Sequence, residues 1–167
     1  MDEPPPQPPA PPPSDAADVD SLDGIVNALY SSVSFDDGRG PDWDRFRGLF
    51  DPNAVMVRVQ PGVSERTDPD HREVSSIEDY VARTNAAVES GALTAFTERE
   101  LTRRTEVFAD LAQVFSTYER SADAGEVRRG INSLQLVRHG ERWWVVSLAW
   151  TDETDGGLLP SRYLPRP

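Results

Sequence analysis

Few groups in this chain could move a proton or grip a ligand. No cysteine is present, which excludes disulfides, thiolate metal sites and cysteine nucleophiles. No lysine is present either, so Schiff-base chemistry is excluded as well. The two histidines, His71 and His139, stand far apart with no His-x-x-x-His pairing, so no metal site and no cofactor are expected. His139 precedes Gly140 and reads as an exposed turn residue. His71 lies in a polar stretch that could cover a pocket mouth and lend an acid or base; the competing reading is a plain surface residue.

The remaining candidates are tyrosines, an asparagine, an arginine and a tryptophan. Ala112, Val114, Ser116 and Tyr118 alternate onto one strand face, as do Asn132, Leu134 and Leu136. If both faces point inward, Tyr118 and Asn132 are polar anchors in an apolar pocket; otherwise each packs with a local hydrogen bond. Tyr30 ends a helix and reaches the same space, either as an anchor or as core with its hydroxyl at the rim. Arg58, set among valines, needs a carboxylate from Glu98, Glu100 or an acidic ligand. Glu98, Glu100, Arg104 and Glu106 fall on one face by a period of two and are expected to form a solvated cross-strand ladder. Trp150, near a strand end, is placed at the pocket mouth.

These groups must be positioned by a short list of elements. Ser21 caps a helix over residues 21–33, with Leu22, Ile25, Val26, Leu29, Tyr30 and Val33 at helical spacing. Asp42 caps a second helix bearing Trp43, Phe46, Leu49 and Phe50. A strand follows over 54–60, then a polar loop over 61–73. Ser75 or Ser76 caps a third helix that ends at Gly91. Strands are predicted near 94–107, 111–121, 128–138 and 142–152, joined by Ala109-Asp110, a loop over 121–125, and His139-Gly140. One sheet and one set of amphipathic helices must bury their apolar faces on each other. The expected fold class is α+β, a cone-shaped, curved antiparallel sheet wrapped around three N-terminal helices.

The run from Trp143 to Trp150 is apolar on both faces. Strict alternation sends Trp143, Val145, Ser147 and Ala149 one way and Trp144, Val146, Leu148 and Trp150 the other. The helices cover one face only, which leaves the set of two Trp, a Val and a Leu (Trp144, Val146, Leu148 and Trp150) facing outward. A homodimer through the convex sheet face is therefore expected, with the C-terminal Leu158-Leu159-Pro160 and Tyr163-Leu164 folding over its edge.

The formal net charge of −12 argues against an electrostatic nucleic-acid binder. Residues 1–20 hold eight prolines and five carboxylates and are expected to be a disordered tail, a solubilising segment or a proline-rich ligand for an SH3-like module. The domain is placed at 21–153 and a C-terminal extension at 154–167. No stretch approaches membrane-spanning length and no signal peptide is visible, so no membrane partner is expected and the cytoplasm is the default compartment.

The element order and several segments resemble the nuclear transport factor 2-like superfamily, in its SnoaL-like branch, a cystatin-like α+β barrel. The segments are Leu29-Tyr30, Trp43 to Phe50 with Asp51-Pro52-Asn53-Ala54, Ser76 to Tyr80, Phe115 to Glu119, Arg129 to Leu136 and Gly140 to Trp144. The resemblance implies a six-stranded sheet, a pocket at the open end of the cone and frequent homodimers, but no single activity. Enzymes of the superfamily place an Asp or His, often with a Tyr, inside the cone. Here the first strand offers only Arg58, and the last strand has Ser147 and Ala149 where many relatives present His.

The sequence therefore predicts a pocket protein of unassigned activity, taking a mainly apolar small ligand on Tyr30, Arg58, Tyr118, Asn132 and Trp150. One alternative is an enzyme of the dehydratase, isomerase or polyketide cyclase type, with His71 or a misplaced carboxylate as base. Another is a dimeric interaction scaffold.

Overall fold

The computed structural model describes residues 14–37, 39–60, 71–154 and 157–167. Helix α1 (Ala16–Val19) is capped by the Asp15 side chain and buries Val19. The Ser14 hydroxyl donates to the Gly48 carbonyl at 2.6 Å. The expected disordered tail over 1–20 is thus corrected at its end, because Val19 gives residues 14–20 something to bury; residues 1–13 lie outside the described residues. Helix α2 (Leu22–Val33) is capped by Ser21 and buries Ile25, Val26, Leu29 and Tyr30. Helix α3 (Trp43–Gly48) is capped by Asp42, and α4 (Ile77–Glu89) by Ser76, whose hydroxyl accepts from the Asp79 N–H at 3.1 Å. Each cap satisfies one orphan donor of its helix.

The strands are β1 (Phe50–Val59), β2 (Arg72–Ser76), β3 (Phe96–Phe108), β4 (Leu111–Ala122), β5 (Arg128–His139) and β6 (Arg142–Asp152). They form one sheet in the order β2-β1-β6-β5-β4-β3. Strand β2 occupies the end of the segment expected to be a loop over 61–73; its single apolar residue, Val74, points outward and is 59% exposed, so it carries no alternation to read. The rest of that loop lies outside the described residues. Two further points correct the expectation. Strands β1 and β6 pair in parallel, so the sheet is mixed rather than wholly antiparallel. It is also open, with β2 and β3 as its edges, rather than a closed barrel. The helices fill the concave side, where Ile25, Leu29, Phe46, Phe50, Leu134 and Val145 make one core.

Two register shifts decide which side chains face that core. In β3 the pairing slips between Glu100 and Thr102, leaving Leu101 as an extra residue; in β6 it slips at Val146, between the Leu136–Val145 and Gln135–Ser147 pairs. A bulge reverses the facing of everything beyond it. After Val146, Leu148, Trp150 and Asp152 turn inward while Ser147 and Ala149 turn out. The expected outward set of Trp144, Val146, Leu148 and Trp150 is therefore corrected. Of the two tryptophans assigned to the convex face only Trp144 stays there, and the Arg142 guanidinium lies 3.4 Å over its ring.

The C-terminal extension crosses the convex side of β3 and β4. The Tyr163 carbonyl accepts from the Thr117 hydroxyl at 2.6 Å, and its ring packs on Phe115 at 5.5 Å. Among the described residues no helix is long and apolar enough to cross a membrane.

Candidate functional site

The core does not fill the cone. A cavity of about 440 Å³ opens between α2, α3, α4 and the inward faces of the sheet. That size suits a small organic ligand, for which sites run about 300–1,000 Å³. One wall is aromatic. Tyr80 stands edge-on to both Trp43 and Trp150, with ring centroids 6.2 and 5.9 Å apart, and stacks on Phe46 at 5.6 Å. Trp150 reaches this wall only because of the Val146 bulge.

The opposite wall, from β3, β4 and β5, is polar. Glu98 extends from β3 into the cavity and accepts a hydrogen bond from Asn132 Nδ2 at 3.0 Å. Its other carboxyl oxygen has no hydrogen bond among the described residues. Burial pushes the Glu98 carboxyl up to about 7; the Asn132 hydrogen bond and the Arg120 charge offset part of this, and the Asp152 charge adds to it. Near neutral pH such a group is a competent proton acceptor or donor. The expectation that Glu98 and Glu100 join Arg104 and Glu106 in a solvated ladder is thus overturned. The Leu101 bulge leaves Glu98 and Glu100 facing in with Arg103, and Arg104 and Glu106 facing out.

Asn132 is itself held by a chain of hydroxyls. Its Nδ2 also donates to Tyr30 Oη at 3.1 Å, Tyr30 lies 2.7 Å from Ser116 Oγ, and Ser116 donates to a Glu100 carboxyl oxygen in a short contact. Because an ionised Glu100 only accepts, the donors run one way: Asn132 to Tyr30, Tyr30 to Ser116, Ser116 to Glu100. Glu100 is in turn bonded by Arg103 at 2.8 Å. Burial and the Glu98 charge raise the Tyr30 phenol well above its ordinary range, so it stays protonated.

A second cluster stands nearer the mouth. Tyr118 Oη donates to Asp152 Oδ1 at 2.8 Å, and Arg120 Nε donates to the same oxygen at 3.0 Å while a second Arg120 nitrogen grips the other. Burial works against ionisation of Asp152, but the hydrogen bonds from Arg120 and Tyr118, with the charges of Arg120 and Arg58, outweigh it and hold the carboxyl below its usual range. Tyr118 lies over Gly130, its partner in β5; a Cβ there would overlap the phenol oxygen and the Thr151 carbonyl. A glycine inside a strand can mark such a close approach, and this one is a legible trace of the site.

Of the residues singled out from sequence, Arg58, Tyr118, Asn132 and Trp150 line the cavity, and Tyr30 stands behind its wall bonded to Asn132. Arg58 is not buried among valines as expected. It is an exposed residue on the inward face of β1, two positions beyond Met56, with its head at the mouth. His71 ends the connection into β2 and is absent from the cavity lining. Glu98, Arg120 and Asp152 were missed. No group of three or more His, Asp and Glu that could hold a metal occurs among the described residues.

No sequence profile of a known family matches the chain, and no curated protein matches it. Solved structures do resemble it. The hexachlorocyclohexane dehydrochlorinase LinA-type3 of Novosphingobium barchaimii LL02 superposes with a TM-score of 0.57 at 14% identity, over 80% of this chain and 84% of its own. The beta subunit of the benzoate 1,2-dioxygenase of Burkholderia mallei gives 0.57 at 13% identity, over 86% and 97%. An NTF2-like protein of unknown function from Silicibacter pomeroyi DSS-3 gives 0.52 at 18% identity, over 79% and 92%. Likeness at this identity speaks to architecture, and together with the open, helix-filled sheet it shows that the chain has the NTF2-like fold.

Proposed function

We propose that the cavity is a small-molecule site that performs proton transfer, with Glu98 as the acid–base group, in the manner of a dehydratase, isomerase or cyclase acting next to a carbonyl. The observation that carries this reading is a carboxyl with one oxygen held by Asn132, the other left to the cavity, and an affinity for protons matched to neutral pH. The aromatic wall would hold an unsaturated or ring-bearing body and keep water away from the reacting carbon. The experiment is deuterium uptake at acidic C–H positions of a panel of cyclic ketones, followed by proton NMR for wild type and Glu98→Gln. Wild-type exchange should exceed that of the variant by roughly 10²–10⁴-fold. Equal rates across the panel would remove the catalytic reading.

A binding protein of the same fold is the second reading, and one observation favours it. Both phenol protons of the polar wall are already committed, Tyr118 to Asp152 and Tyr30 to Ser116, so neither is aimed at a developing oxyanion. On that reading Glu98 and Asn132 fix the orientation of a retained, mainly apolar ligand.

A further inference from the structure

The charges of the cavity wall point to the class of molecule it takes. Four arginines and three carboxylates line it. Most are paired off: Arg83 with Glu73, Arg120 with Asp152, Arg128 with Glu126 and Glu153 with Arg129. Among the described residues two charged groups of the lining have no ion-pair partner, Glu98 on the polar wall and Arg58 at the mouth. They do not neutralise each other. The charges that act on Glu98 are those of Arg120 and Asp152, whereas Arg58 acts on Asp152 and Tyr80. Asp152 is already gripped through both oxygens by Arg120, so among the described residues the guanidinium of Arg58 keeps its donors for something else. In a chain of net charge −12, a cavity mouth whose uncompensated charge is positive is a local exception.

We propose that the cavity selects monocarboxylic acids with a compact unsaturated or aromatic body, the ligand carboxylate docking on Arg58 at the mouth. This rests on the small-molecule reading of the cavity and adds the ligand class to it. Arg58 pairs across the sheet with Trp150, which stands edge-on to Tyr80, so a carboxylate on the guanidinium places the attached body directly on the aromatic wall. The polar end of the ligand then stays at the opening and the body points toward Glu98. A single planar fork matches one carboxylate. A phosphate dianion would bring a second negative charge toward Asp152 and Glu98, and among the described residues of the lining no second unpaired cation meets it.

The test is isothermal titration calorimetry at low salt and pH 8 with 3-phenylpropanoate and its uncharged amide, on wild type, Arg58→Gln, Arg58→Lys and Glu98→Gln. The acid should bind wild type roughly tenfold or more tighter than the amide. Arg58→Gln should abolish that preference, Arg58→Lys should keep part of it, and Glu98→Gln, which at pH 8 removes a negative charge from the wall, should not lower it. Arg58 is exposed, so its replacement should not disturb folding, which an unchanged urea midpoint verifies. Equal binding of acid and amide to wild type overturns the acid selectivity and leaves the small-molecule site standing. An acid preference that survives in Arg58→Gln overturns the assignment to Arg58. Binding of neither probe overturns both the selectivity and the small-molecule reading.

Discussion

If Glu98 is placed for chemistry rather than for stability, replacing it should make the protein more stable, and the gain should depend on pH in a specified way. A carboxyl raised from the ordinary 4.5 to about 7 holds its proton more tightly in the folded chain than in the unfolded one. Below pH 4.5 it is protonated in both states and contributes no pH-dependent difference. As pH rises from 4.5 to 7 the unfolded chain releases its proton while the folded chain keeps it, so folding stability falls by about 1.4 kcal/mol for each pH step and levels off above 7. The total is about 3 kcal/mol. Gln at position 98 can still accept from Asn132 and cannot ionise, so Glu98→Gln should match wild type near pH 4.5 and exceed it by about 3 kcal/mol at pH 8. For a chain of 167 residues that raises the midpoint of thermal unfolding by roughly 6–12 °C at pH 8. The carboxylates held low, Asp18, Asp123 and Asp152, contribute their own slope only below their ordinary range, outside this window. Urea unfolding of both proteins at half-unit steps from pH 4.5 to 8 measures the difference. A difference that stays flat with pH, or a wild-type stability that climbs through this range, would refute the placement of Glu98 in a desolvated wall.

Ser116→Ala should cost about 1–3 kcal/mol, since it leaves the Tyr30 hydroxyl and one Glu100 oxygen without the partners they share in a buried wall; an unchanged urea midpoint would show that the chain from Asn132 to Glu100 is not formed. A convex-face homodimer now has a smaller apolar basis, Val55 and Val74 at the β2 edge beside the small Ser147 and Ala149, because Trp150 faces the cavity and Tyr163 covers Phe115. Sedimentation at micromolar concentration should still give a dimer, and Val74→Glu should shift it to monomer; a wild-type monomer would refute the interface.

Helices α2, α3 and α4 were legible because their signals are local, whereas the single turn of α1 was not. Ser21, Asp42 and Ser76 each cap at the position their chemistry requires, and the apolar spacing after each matches the buried face. Strands β4 and β5 were legible for a similar reason: Ala112, Val114, Ser116 and Tyr118, and opposite them Asn132, Leu134 and Leu136, alternate without interruption, and this puts Tyr118 and Asn132 on the inward face. Strand β6 defeated the same reasoning, since both of its faces are apolar and a shift of one residue leaves no trace in hydropathy. Strand β3 defeated it differently, with charged residues on both sides of the bulge and little contrast between faces.

The bulge at Leu101 has a further consequence, which ties the hidden part of the sequence to the chemistry. With unbroken alternation Glu98, Glu100 and Arg104 would share a face, and Arg103 would stand on the other side of the sheet. The extra residue instead brings Arg103 round to the concave side, where it bonds Glu100 at 2.8 Å and meets Asp23 at 3.0 Å. Glu100 thereby acquires the cation, and Glu98, two residues nearer the cavity, is left with only a neutral amide. Burial is what lifts the Glu98 carboxyl toward neutrality, and the Asn132 amide and the Arg120 charge offset only part of it. With the same residues and no bulge the inward arginine would be Arg104, four residues along the strand from Glu100, and Arg103 would stand on the convex side. Deleting Leu101 removes only the extra residue and leaves Glu98, Glu100 and Arg103 on one face by plain alternation, so the unusual titration of Glu98 should be kept. A carbon-13 titration of the glutamate carboxyls would show it: a resonance titrating near 7 is expected in both wild type and the deletion variant, and its loss from the variant would refute the reading that shared facing, rather than the extra residue itself, sets the proton affinity of Glu98.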